Sequence, residues 1–70
     1  MGIEEKYNIE AMAKNIYDEM REHGNETDAF EDYWFPVMQS FRTKGIKNSE
    51  MEQAKEAVLE KLVEMFERSI

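Results

Sequence analysis

The stretch Phe30-Glu31-Asp32-Tyr33-Trp34-Phe35-Pro36-Val37-Met38-Gln39-Ser40-Phe41 carries five of the eight aromatic residues in this 70-residue chain. Placed about 100° apart around a helix, Phe30, Trp34, Val37, Met38 and Phe41 fall on one side, the pattern of a helix with a single buried face. Pro36 interrupts the logic. It lacks a backbone donor, and its ring crowds the carbonyl of Asp32, so a straight helix is disfavoured. The apolar stripe nevertheless keeps its phase across Pro36, which predicts a kink rather than a break.

Working outward, Gly45 supplies the left-handed residue that ends such a helix. With Gly45 at C′, Phe41 is C3 and Ile46 is C″, the apolar pair of a Schellman ending. On the other side, Asp28 is placed to cap the helix, and Glu31 three residues later completes a capping-box pattern. The second helix is therefore expected over 28–44. Ser49 and Glu52 form a second capping box and open a third helix over 49–68. Its stripe of Met51, Ala54, Val58, Leu62, Met65 and Phe66 is widened by Leu59, Val63 and Ile70. A first helix over 3–23, starting near Ile3 or at an Asn8 cap, aligns Ile9, Met12, Ala13, Ile16 and Met20. Gly24 closes it. No segment alternates with period 2 over a strand's length.

The fold class is thus all-α, one compact three-helix domain spanning residues 1–70. The expected core is Ile9, Met12, Ile16, Met20, Phe30, Trp34, Val37, Met38, Phe41, Ile46, Val58, Leu62, Met65 and Phe66.

Composition narrows the function. The formal net charge is −7 and there is no cysteine, which excludes disulfides and thiolate metal sites. Residues 1–35 carry a balance of −7, residues 36–48 of +3 from Arg42, Lys44 and Lys47, and residues 49–70 of −3. Most of this surface would repel a phosphate backbone. No run approaches the roughly 20 apolar residues of a membrane span, and the start lacks a signal peptide's apolar core. A soluble, cytoplasmic protein is expected, with no membrane partner.

Catalytic and metal chemistry find no support in the residue pattern. His23 is the only histidine, and a di-iron bundle would need Glu-x-x-His on two helices. A histidine in a helix's last turn is accounted for by the dipole. The acidic turn from Asn25 to Asp32 has Ala29 and Phe30 where a calcium loop needs oxygen ligands, and no central glycine. No phosphate loop or nucleophile elbow occurs. Catalytic residues, metal ligands and cofactors are all expected to be none.

Two functional readings follow. Phe35 lies off the centre of the stripe, and together with Tyr33, Leu59, Val63 and Ile70 it makes more apolar surface than three helices need to bury. That excess, inside an acidic rim, predicts a non-enzymatic protein-interaction module: a regulator, inhibitor or assembly partner. Its partner would be a protein, basic or itself nucleic-acid-binding, or a second copy in a homodimer. In one version the carboxylates imitate nucleic-acid phosphates. Compact, acidic, motif-free chains are also common among small accessory genes, those of phages and other mobile elements included. The alternative is a helix-turn-helix-like regulator contacting nucleic acid through Arg42, Lys44 and Lys47. Against it, the would-be recognition helix begins with Glu50 and Glu52, where base-reading helices present Arg, Lys, Asn or Gln.

Overall fold

The computed structural model describes residues 2–68, within which every regular element is helical. A four-residue helix α1 (Ile3–Lys6) leads into α2 (Ile9–Glu22). A single 3-10 turn (Thr27–Ala29) then enters α3 (Phe30–Thr43), and α4 (Asn48–Arg68) completes the fold. The three-helix bundle expected from the sequence is the architecture found. Helix α4 packs against every other element. Its wide apolar arc explains that central place: Met51, Ala54, Val58 and Leu62 are all buried along it.

The core joins those residues to Ile9, Ala13, Ile16 and Met20 of α2 and to Phe30, Trp34 and Phe41 of α3. Ile9, Met20, Val58 and Leu62 are the largest fully enclosed side chains. Burial of each stabilises the fold by roughly 1.5–3 kcal/mol. Met12, Val37, Met38, Ile46, Met65 and Phe66 pack on this centre but stay partly exposed. The rings of Phe30, Trp34 and Phe41 stand 5.9 Å apart in succession, and Tyr7 continues the series 5.2 Å from Phe41. At the other end of α2, Tyr17 meets Phe66 edge to face at 4.8 Å. No polar or charged side chain is buried among the described residues.

Both glycine endings form as the spacing requires. Gly45 adopts φ +78°, its N–H bonds the Arg42 carbonyl at 3.0 Å, and the Ile46 N–H bonds the Phe41 carbonyl at 3.1 Å. These are the two bonds of a Schellman motif. Gly24 repeats it at φ +72°, with Gly24 N–H on Arg21 and Asn25 N–H on Met20.

Three boundaries differ from expectation. The first helix is not continuous: it breaks at Tyr7 and Asn8, and Asn8 sits left-handed at φ +51° instead of capping α2 with its side chain. Asparagine is among the few non-glycine residues that tolerate this region. Asp28 does not cap α3 either. It lies inside the 3-10 turn, the position before α3 is Ala29, and no side-chain cap bond is made there. The third helix starts one residue early, with the Lys47 carbonyl accepting from the Met51 N–H, so Ser49 lies inside the helix. Helix α3 carries Pro36 without a break. Pro36 and Asp32 are both exposed, so the carbonyl that loses its donor lies on the solvent side, where water can bond it.

Candidate protein-interaction surface

Helix α3 fixes its candidate residues by phase. Phe30, Trp34 and Phe41 point to the core, and Phe35, about 100° further round, is turned out of it. The Phe35 side chain is 54% exposed. It lies at a groove between α3 and α4 whose floor is Trp34, Met38 and Met51. Glu31 and Arg42 of α3 and Glu52 and Lys55 of α4 form the rim. One rim contact is closed by an ion pair, Lys55 Nζ to Glu31 Oε1 at 2.6 Å. Glu31 facing Lys55, and Arg42 sharing the groove with Asn48, give α3 and α4 an antiparallel pairing.

The other predicted surface residues lie elsewhere. Tyr33 sits two positions from Phe35, about 160° away around α3. It is half-buried, its hydroxyl accepts a hydrogen bond from Asn25 Nδ2, and its ring stands 6.4 Å from His23. Tyr33 thus fastens the Gly24–Asn25 turn to α3. Leu59 is half-buried against the core, while Val63 is 36% exposed. They line a shallow depression on α4 with Glu56, Glu60 and Glu64. Lys55, Leu59 and Val63 follow at four-residue spacing, so this second patch continues the flank that borders the groove. Ile70 lies outside the described residues.

The basic residues Arg42, Lys44 and Lys47 are all exposed. Arg42 belongs to the Phe35 groove, whereas Lys47 borders a separate depression with Lys6, Tyr7 and Glu50. Glu50 is the electrostatic centre of that depression. Lys6 Nζ donates to its Oε1 at 2.8 Å, and the Tyr7 hydroxyl donates to its Oε2 at 2.6 Å. These bonds, Lys6 first, hold the Glu50 carboxyl below its ordinary pKa, and Lys47 adds a smaller attraction. The same carboxylate raises the pKa values of Lys6 and Tyr7. No local pattern signals this clasp, because its partners stand 43 and 44 positions apart and Glu50 is one acid among many in the sequence.

Among the described residues, no three His, Asp or Glu side chains gather in a way that could hold a metal. His23 is exposed at the end of α2. Among the described residues, no helix is long and apolar enough to cross a membrane. No protein-family model, curated protein or solved structure matches the chain.

Proposed function

We infer that this chain is a small, acidic, non-enzymatic protein-interaction module, a regulator, inhibitor or assembly partner, whose binding face centres on Phe35. The observation that carries the reading is the exposure of Phe35 beside a groove with an apolar floor, in a bundle whose core is already closed by Phe30, Trp34 and Phe41. Holding a phenyl ring half in water forgoes on the order of 1 kcal/mol of burial. An aromatic ring beside the apolar floor of a groove with a charged rim has the composition of an interface centre with a polar surround. Leu59 and Val63 extend the apolar flank along α4. The net charge of −7 favours a partner surface of basic character. A partner that normally binds nucleic acid has such a surface.

The test is capture from source-cell extract by the tagged chain and by its Phe35→Ser variant, each with nuclease. A protein held by the wild type and released by F35S supports the reading, and the untagged chain itself counts as such a protein. Equal capture by both baits or capture abolished by nuclease overturns it, as does the absence of any specific capture by a chain that also stays monomeric in solution.

A further inference from the structure

Glu31, Phe35, Met38 and Arg42 line the same groove and follow one another at four-, three- and four-residue steps, a single seam along α3. The order of side chains along that seam is acid, aromatic, methionine, base. Run antiparallel against itself, it is self-complementary: Glu31 meets Arg42, Phe35 meets Met38, and each pairing occurs twice about one two-fold axis near residues 36 and 37. The dipoles of two antiparallel helices also oppose each other favourably.

We propose that the occupant of the Phe35 face is a second copy of this chain, docked through an isologous α3–α3 contact. The inference rests on reading that face as a protein-binding surface and names what binds there. An isologous interface must place each residue opposite its complement about the axis. The α3 seam meets that condition at both its charged and its apolar positions. Phe35 of each copy covers the partly exposed Met38 of the other, giving the ring the burial that the single chain denies it. A thioether against an aromatic ring is a favourable contact. Glu31 keeps its bond to Lys55, and its 74% exposed side chain presents the rest of the carboxylate to Arg42 of the second copy. Helix α3 is about 21 Å long, so the contact belongs to the small, reversible class of interfaces.

The experiment is analytical ultracentrifugation of the full chain at about 0.15 M salt, where the Debye length near 8 Å screens the repulsion between two −7 bodies, at concentrations up to about 1 mM. A reversible two-copy species is expected. Glu31→Arg and Arg42→Glu should each weaken it by about tenfold, because one substitution turns two attractions into two repulsions. Phe35→Asp should abolish it at concentrations where the wild type is paired. The decisive variant is the double swap E31R/R42E, which restores both pairs and should recover pairing. Far-UV circular dichroism confirms that each variant is folded. A wild type that stays monomeric overturns the proposal, as do single variants that pair like the wild type or a folded double swap that pairs no better than the singles. A monomeric chain that still captures a different protein through Phe35 overturns the pairing alone and leaves the interaction-module reading standing.

Discussion

Substituting Gly45 tests the joint on which the α3–α4 groove depends. The residue stands at φ +78°, and a Cβ built on it meets no atom within 4 Å. The effect of an added methyl is therefore conformational, free of steric clash with neighbours. An L-residue in the left-handed region costs roughly 1–2 kcal/mol. The stiffer unfolded chain offsets about 0.4–1 kcal/mol of that. Gly45→Ala should thus destabilise by about 1 kcal/mol, which in a domain this small lowers Tm by roughly 4–8 °C. Gly45→Asn should cost less, because asparagine tolerates the region, as Asn8 does at φ +51°. Gly45→Val should cost more, since its branched Cβ resists that region most. The assay is thermal unfolding followed at 222 nm for all four chains. The expected order of stability is Gly, Asn, Ala, Val. A neutral Ala variant, or an Asn variant below Ala, would refute the reasoning, because either result means that the turn does not require its left-handed residue.

The clasp around Glu50 predicts a pH signature. Its pKa is depressed from 4.5 in the fold, so its contribution is fully present above that value and is lost as pH falls through the lower folded pKa. Lys6 and Tyr7 are raised from 10.5 and 10.0, so their share is present below those values and is lost as pH rises past the raised ones. The Tm difference between wild type and Glu50→Gln should accordingly be flat from about pH 5 to 9 and close at both extremes; a difference that does not change below pH 4 would remove Glu50 from the account. Neighbouring residues of α4 offer a packing contrast. Leu62→Ala, at a fully buried position, should cost about 2–5 kcal/mol and a large part of the cooperative transition. Val63→Ala, at a half-open one, should stay within about 0.5 kcal/mol. Equal Tm losses would show that the inward and outward faces of α4 have been confused.

The parts of this fold that can be read from sequence are those fixed by short-range pattern. The stripes of α2, α3 and α4 repeat within a turn or two, and the Phe41–Gly45–Ile46 ending is local, so both emerge from spacing alone. Asn8 is ambiguous for a physical reason: asparagine serves equally well as an N-cap or as a left-handed link, and only the packing of α1 on α4 decides between them. Asp28 and Glu31 carry a capping-box pattern that a tighter 3-10 turn overrides. Ser49 and Glu52 carry another, displaced when the helix gains one residue at Asn48. At the candidate surface, the outward turn of Phe35 follows from its phase relative to Trp34. The inward fastening of Tyr33 does not, because it depends on Asn25 arriving from the preceding turn. The alignment of Glu31 with Lys55 likewise needs the antiparallel course of α3 and α4, which no local pattern encodes.

The shortness of α1 has a consequence for how the fold breathes. Four residues fall far below the dozen or so at which a helix persists in water by itself. At its start, the amides of Glu5 and Lys6 both bond the Gly2 carbonyl, at 3.2 Å. The Tyr7 ring against Phe41 and the grip of Lys6 and Tyr7 on one carboxylate help hold α1 in place. Helix α1 is therefore expected to open locally at a lower free-energy cost than the rest of the bundle. Amide exchange is therefore expected to be faster over α1 than over the enclosed parts of α2 and α4 that hold Met20, Val58 and Leu62.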